Sequence, residues 1–172
     1  MARLESPNFK FNIEIKIIDS KQENYNLICA IDLCSDVFYG KTEITTSITD
    51  VKTFINELKN MYNFLKGCTK LTDYDYGSFI NIICDEFGYF VFDGIIVNGT
   101  SNELHFKNRI DQTYIKNFIN VFSAEFEKAL ENDWFLVISQ NTFLNRNLIF
   151  LQIKKELAII LNCLSTLFSS KI

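Results

Sequence analysis

The chain has 172 residues, of which 48% are hydrophobic, including 17 phenylalanines, and its formal net charge is −4. This length fits one domain, or one domain with an appendage, and the apolar content is sufficient for a core. The acidic balance argues against direct binding to nucleic acid, which requires clustered Lys and Arg.

Alternating apolar and polar residues predict β-strands in the first third of the chain. The alternation runs from Phe9 to Ile17 and again from Tyr25 to Leu33, which is typical of half-buried strands. Residues 37–46, VFYGKTEITT, are β-branched and aromatic enough for a third strand. Within that strand, Gly40 indicates a bulge or a close contact with another element.

An amphipathic helix follows these strands. Apolar residues from Val51 to Leu65 recur at spacings of three and four, so they form one stripe on a helix. Thr49 or Asp50 is predicted to cap the start of this helix, and Gly67 its end. We interpret the stripe as a surface that faces the core. A short strand near residues 69–71 is predicted next.

Residues 78–97, SFINIICDEFGYFVFDGIIV, predict a β-hairpin at the centre of the fold. A three-residue loop, residues 86–88, pairs Cys84 with Phe90 and keeps the apolar residues of one face in a single row. A two-residue turn would shift the register and place Asp93 in that row, at a large energetic cost. The three-residue loop is therefore predicted, with its last residue, a glycine, in the left-handed conformation.

A last strand over residues 103–107 and a second amphipathic helix over residues 112–130, capped by Asp111, complete the domain. Short connections favour antiparallel pairing. We therefore predict an α+β fold: an antiparallel β-sheet of about six to seven strands with two amphipathic helices packed on one face, plus a C-terminal apolar helical tail. The α+β domain is expected to span residues 1–130, and residues 131–172 are expected to form an extension of a strand plus a helix.

The predicted helix of the extension, residues 147–168, is apolar over much of its surface. Its mostly apolar run covers 12 residues, whereas a membrane span needs about 20, so no membrane span is predicted. A helix of this kind is expected to be buried against the sheet, a partner or a second copy. It is therefore a candidate contact for a homo-oligomer.

Motifs that would indicate catalysis are missing from the sequence. It contains no Gly-rich phosphate loop, no Gly-x-Ser-x-Gly and no metal-ligand spacing, so we predict no enzyme activity, no cofactor and no metal. The single histidine, His105, is expected on an exposed strand face. The five cysteines form no Cys-x-x-Cys pair and are expected to be buried free thiols in a reducing cytoplasm. The N-terminus has no apolar signal segment.

Two acidic turns are candidate binding loops. In the segment DYDYG, residues 73–77, tyrosines offer contact area and carboxylates complement a basic partner, although the tyrosines could instead lie down on the sheet. The second turn is the hairpin loop, where Asp is also favoured because it hydrogen-bonds its own backbone. The predicted partner-binding residues are Asp73, Tyr74, Asp75, Tyr76, Asp85 and Glu86.

Four segments of the chain resemble the WapI-type immunity proteins, a family of small bacterial antitoxins. The segments are FYGKTEI at residues 38–44, DVKTFINELKNMY at 50–62, GYFVFDGII at 88–96 and NELHFKNRIDQTYIKNFI at 102–119. The last segment contains Asp-Gln-Thr-Tyr, and the resemblance covers roughly residues 9–130.

The resemblance implies a cytoplasmic, non-catalytic protein that binds and neutralises a cognate polymorphic toxin domain. It also implies that Asp111 caps a helix and that Tyr114 and Phe118 lie in the core. Many such toxins are nucleases with basic active sites, and the 13 basic and 18 acidic residues through Leu130 give that part a net charge of −5, which would steer it toward a basic face. The alternative is a structural or assembly subunit that oligomerises through residues 147–168.

Overall fold

The structure, a computed structural model, describes residues 1–19, 26–99 and 102–132. Within these residues the chain forms eight β-strands and two α-helices. In chain order these are β1 (Ala2–Ser6), β2 (Phe9–Asp19), β3 (Asn26–Ser35), β4 (Phe38–Ser47), α1 (Ile48–Phe64), β5 (Gly67–Thr72), β6 (Phe79–Cys84), β7 (Phe90–Asn98), β8 (Asn102–Ile110) and α2 (residues 112–132). Met1–Glu131 form one compact unit. The helix predicted over residues 147–168 lies outside the described residues, so that helix and its oligomer contact stay predictions.

The eight strands form two antiparallel sheets of four strands each. Sheet A has the order β1-β2-β3-β4 and sheet B the order β5-β6-β7-β8, so every strand pairs with its neighbours in sequence. The predicted α+β class with antiparallel pairing is confirmed, but the single sheet of six to seven strands is wrong. Helix α1 lies in the sequence between β4, the last strand of sheet A, and β5, the first strand of sheet B. Strand β1 was missed because its short alternation carries the charged residues Arg3 and Glu5.

Strand β4 meets sheet B through side chains rather than through a ladder of backbone hydrogen bonds. The Thr42 hydroxyl donates to the carbonyl of Val97 at 2.8 Å and lies 3.4 Å from the Ser78 hydroxyl. At Gly40, an added Cβ atom would lie 2.7 Å from Leu104 Cδ2. The predicted close contact at Gly40 is therefore confirmed, since its missing side chain lets β8 approach β4.

Phenylalanine side chains join both sheets and both helices in one core. The ring of Phe11 in β2 lies 5.8 Å from Phe92 in β7 and 5.7 Å from Phe118 in α2, measured between centroids. Phe54 in α1 lies 6.3 Å from Phe122 in α2. All five rings are buried, and burial of each contributes about 2 kcal/mol. The helices thus share a core with both sheets instead of covering one face of a single sheet.

Helix α1 begins earlier than predicted. Its N-cap is Ser47, whose hydroxyl accepts a hydrogen bond from the Asp50 N–H at 3.0 Å, so the predicted caps, Thr49 or Asp50, are wrong. The helix starts directly at the end of β4, which the three-residue spacing of apolar side chains did not reveal. It ends at Leu65, which adopts the left-handed conformation with φ of 50°, and Gly67 instead opens β5.

Helix α2 begins where the sequence predicts. Asp111 caps it, with Oδ1 accepting from the Thr113 N–H at 2.8 Å, and this hydrogen bond holds the pKa of Asp111 below its ordinary value. Phe118 is fully buried, as expected, but Tyr114 is 40% exposed. The core position predicted for Tyr114 is wrong because this residue, in the first turn, lies beside the buried stripe rather than within it.

The central hairpin has the predicted register. Cys84 pairs with Phe90, the Asp85 N–H donates to the carbonyl of Tyr89 at 2.9 Å, and Gly88 has a φ of 80°. The three-residue loop is therefore confirmed. The apolar row that it preserves forms the inner face of sheet B, while the opposite face is mixed.

Candidate partner-binding loops

The six predicted partner-binding residues lie on two loops, which leave opposite ends of strand β6. The first loop, residues 73–78, joins β5 to β6, and the second, residues 85–89, joins β6 to β7. A strand of six residues is about 20 Å long. The structure therefore separates the predicted residues into two places, here named the Asp73 loop and the Asp85 loop.

The Asp73 loop is fastened to the free edge of β4 by its first residue. The Asp73 side chain is 5% exposed, and its carboxylate accepts from the Thr45 N–H at 2.9 Å and from the Tyr76 N–H at 2.7 Å. The Tyr74 N–H also donates to the carbonyl of Thr45 at 2.9 Å. These bonds satisfy backbone groups that an edge strand would otherwise leave open, so Asp73 fixes the loop from within.

The tyrosines of the Asp73 loop are exposed. Tyr74 is 56% and Tyr76 is 68% exposed, so neither ring is buried against the sheet. The Tyr74 hydroxyl donates to the Asp50 carboxylate, and this bond holds the pKa of Asp50 below its ordinary value. Asp75 is also exposed. The loop thus presents two aromatic rings and one carboxylate from a fixed backbone.

An open cleft of about 730 Å³ crosses the outer face of sheet A, and Tyr76 stands at one wall. Charges of both signs line it, with Lys41 paired to Asp32 at 3.2 Å between Nζ and Oδ1. The lining residues are Met1, Asn12, Glu14, Lys16, Ala30, Ile31, Asp32, Lys41, Thr42, Glu43, Tyr76, Val97, Asn98 and Gly99. Among these described residues there is no histidine and no cysteine.

The Asp85 loop is held in the same manner by its first carboxylate. Asp85 Oδ1 accepts from the N–H groups of Phe87 at 2.9 Å and Tyr89 at 3.0 Å, and Oδ2 accepts from Arg109 Nε at 2.8 Å. Desolvation raises the pKa of Asp85, but the two backbone bonds and Arg109 outweigh it and leave the pKa below its ordinary value. Asp85 is therefore ionised and committed to interactions within the chain, while Glu86 is exposed.

Two residues of the Asp85 loop region escaped the sequence reasoning. Phe87 is 72% exposed at the tip of the loop, and Arg109 of β8 lies over the Tyr89 ring, 3.9 Å from its centroid. An apolar residue in the middle of a three-residue loop cannot reach either face of the sheet. The exposure of Phe87 could therefore have been predicted from its position in the loop. The role of Arg109 depends on the register of β8, which no local pattern reveals.

Residues considered for chemistry lie elsewhere. His105 is exposed on β8, with Nε2 3.2 Å from Glu103 Oε2, so its predicted surface position is confirmed. The described residues contain no group of three or more His, Cys, Asp or Glu placed to hold a metal. Cys29 and Cys84 are buried as predicted, but Cys34 is only half-buried and Cys68 is exposed, the latter because it lies on the outer face of an edge strand. Cys163 lies outside the described residues. In the part of the chain that the structure describes, no helix is long and apolar enough to cross a membrane.

Two solved structures have a fold similar to that of this chain. The chain is similar to the plant transcriptional regulator PBF-2, with a TM-score of 0.52, 10% identity and coverage of 80% of this chain and 85% of that one. It is also similar to WHY1 from Arabidopsis thaliana, with a TM-score of 0.51, 10% identity and coverage of 83% and 91%. At this identity the likeness shows the fold alone. Comparison with curated proteins gives no match.

The family follows from the sequence itself. Residues 3–130 match the model of the immunity protein WapI-like family, which covers more than half of the chain. The protein belongs to that family. The resemblance that the sequence suggested is thus confirmed, and the match ends close to the end of the compact unit at Glu131.

Proposed function

We propose that this protein is an immunity protein that binds a cognate bacterial toxin domain in the cytoplasm and neutralises it without catalysis. The observation that carries the proposal is the match of residues 3–130 to the WapI-like immunity family. Neutralisation by binding means that the protein covers or distorts the toxin and is not turned over. In this proposal residues 1–130 are the binding domain and residues 131–172 are an extension of it.

The two loops support a binding role because their backbones are already ordered. Ordering a loop on binding costs free energy, and a loop fixed in advance avoids that cost. Asp73 and Asp85 each fix one loop through two backbone N–H groups. We assign these two residues to positioning, and we assign direct contact with the toxin to the exposed members, Tyr74, Tyr76 and Glu86, together with Asp75.

Co-expression with the toxin domain encoded by the neighbouring gene tests the proposal. Cells that produce the toxin domain alone are expected to stop growing, and cells that also produce this protein are expected to grow. An immunity protein from an unrelated toxin system serves as the control and should give no protection. Failure to protect, with both proteins soluble, would contradict the proposal.

A titration with purified proteins tests the non-catalytic mechanism. If neutralisation is by binding, residual toxin activity should fall linearly and reach zero at a molar ratio of one to one. A tight complex should also elute as one species from a sizing column. Complete neutralisation by a small fraction of one equivalent, increasing with time, would instead indicate that the protein modifies the toxin enzymatically.

A further inference from the structure

Exposed apolar side chains gather at the end of the unit that holds the Asp85 loop. Twelve large hydrophobic side chains are exposed in the described residues, and half of them lie on segments at this end. We name these six the hairpin-end surface: Val37, Phe38, Phe64, Leu65, Phe87 and Tyr89. The Asp73 loop, at the other end of β6, offers only Tyr74 and Tyr76.

Contacts between elements place the segments that carry these side chains at the same end of sheet B. Leu65, at the end of α1, approaches Gly88, where an added Cβ atom would lie 3.7 Å from Leu65 Cδ1. On the other side, the Asn108 amide donates to the Ser35 hydroxyl at 2.9 Å, which brings the β3–β4 turn to the end of β8. The next residue in β8, Arg109, bonds to the Asp85 loop. The end of α1, the Asp85 loop and the β3–β4 turn therefore follow one another across one end of sheet B.

The hairpin-end surface is exposed to an unusual degree for apolar side chains. Val37 is 88% and Phe87 is 72% exposed, and both stand at the tips of tight turns. Single exposed hydrophobic residues need no explanation, but a group of them is typical of an interaction site. Aromatic residues in particular dominate the binding energy of protein interfaces.

The backbone beneath this surface is fixed before any partner arrives. The Asp85 carboxylate holds the N–H groups of Phe87 and Tyr89 and the Arg109 guanidinium, which lies over the Tyr89 ring and 5.4 Å from the centroid of the Phe87 ring. Phe87 thus protrudes from an ordered backbone, so its insertion into a pocket costs little conformational entropy.

We propose that the hairpin-end surface is the main contact with the cognate toxin domain, and that Phe87 is its anchor. This inference rests on the proposed immunity function and locates its binding site. The exposed charges beside the apolar side chains are Asp36, Glu86 and Lys66, a slight acidic excess because Arg109 is paired with Asp85. The partner surface that fits is an apolar pocket bordered by basic side chains.

Measured affinity for the toxin domain of the neighbouring gene tests the inference. The variant is Phe87→Ala, and the matched control is Tyr39→Ala, which removes an exposed aromatic ring of β4 that lies outside the hairpin-end surface. Phe87→Ala is expected to weaken binding by about thirty-fold or more, as for the loss of an interface hot spot, whereas Tyr39→Ala should change it by less than about three-fold. Circular dichroism should show that both variants are folded.

The other results overturn the inference in distinguishable ways. A third variant, Tyr76→Ala, tests the other loop: strong weakening by this change with none by Phe87→Ala would place the toxin on the Asp73 loop and leave the immunity function intact. A wild-type homo-oligomer that Phe87→Ala converts to a monomer, with unchanged toxin affinity, would assign the surface to a second copy of this chain. No binding by the unmodified protein would contradict both the inference and the immunity function on which it rests.

Discussion

The Arg109 guanidinium bonds the Asp85 carboxylate from two nitrogens, with Nε and Nη2 each 2.8 Å from Oδ2. This ion pair joins the end of β8 to the loop between β6 and β7. The same carboxylate holds two backbone N–H groups of that loop through Oδ1. One side chain therefore sets both the loop conformation and the position of the arginine that supports the exposed aromatic rings.

Replacement of Asp85 by Asn should destabilise the protein at neutral pH and do so less at acid pH. The pKa of Asp85 lies below its ordinary value of 3.8, so its stabilisation is fully present above that value and is lost as the pH falls through the lower pKa of the folded state. The thermal unfolding midpoints of wild type and Asp85→Asn should differ by a few degrees at pH 7. The difference should disappear as the pH falls below about 3.8 toward pH 2.

The exposed neighbour offers a matched control for this variant. Glu86→Gln removes a carboxylate from the same loop, yet the described contacts give that carboxylate no role within the chain, so the midpoint should not change at any pH. A difference between Asp85→Asn and wild type that stays constant down to pH 2 would show that shape, rather than charge, accounts for the effect.

Asp73→Ala should cost about 2 kcal/mol of unfolding free energy, because it leaves the N–H groups of Thr45 and Tyr76 without their acceptor. Asp75 lies two residues further along the loop and is exposed. Asp75→Ala should therefore change stability by less than about 0.5 kcal/mol. Urea unfolding followed by circular dichroism measures both values. Equal losses in the two variants would contradict the positioning role of Asp73.

Local sequence patterns correctly predicted the elements that depend on residues close together in the sequence. The three-residue loop before Tyr89 could be predicted because a one-residue shift would have moved every side chain of the hairpin to the other face. The cap of α2 at Asp111 likewise depends on residues two positions apart. The start of α1 was misplaced because Ser47 belongs to a run of small polar residues, TTSITD, in which several could cap a helix.

The division into two sheets could not be predicted because it depends on contacts between distant parts of the chain. Strand β4 is the last strand of sheet A and meets β8 of sheet B through the approach of Gly40 to Leu104, which are 64 positions apart in the sequence. The candidate site shows the same limit. Acidic turn residues were recognisable, but only the positions of Thr45 and Arg109 decide that two of those carboxylates are occupied within the chain.

The cysteines should differ sharply in their reaction with an alkylating reagent. Cys68 is exposed, whereas Cys29 is fully buried and burial raises its pKa to about 12. Only about one Cys29 thiol in ten thousand would be ionised at pH 8. Iodoacetamide labelling of the folded protein, read by mass spectrometry of peptides, should modify Cys68 within minutes and Cys29 only after unfolding. Similar rates at both sites would contradict the burial of Cys29.

Two glycines provide a final test, in which the same substitution meets different neighbours. A Cβ atom at Gly94 would lie 2.1 Å from the carbonyl oxygen of Phe79, and one at Gly40 would lie 2.7 Å from Leu104 Cδ2. Neither glycine has a positive φ, so any difference between the two alanine variants is steric rather than conformational.

Gly94→Ala should destabilise the protein by about 3 kcal/mol or prevent folding, because backbone of the paired strand β6 cannot move without disturbing sheet B. Gly40→Ala should cost about 1 kcal/mol, since the end of the Leu104 side chain can rotate away. Urea unfolding at pH 7 measures both variants. An equal loss at the two positions would mean that β4 and β8 are held as rigidly against each other as two strands of one sheet.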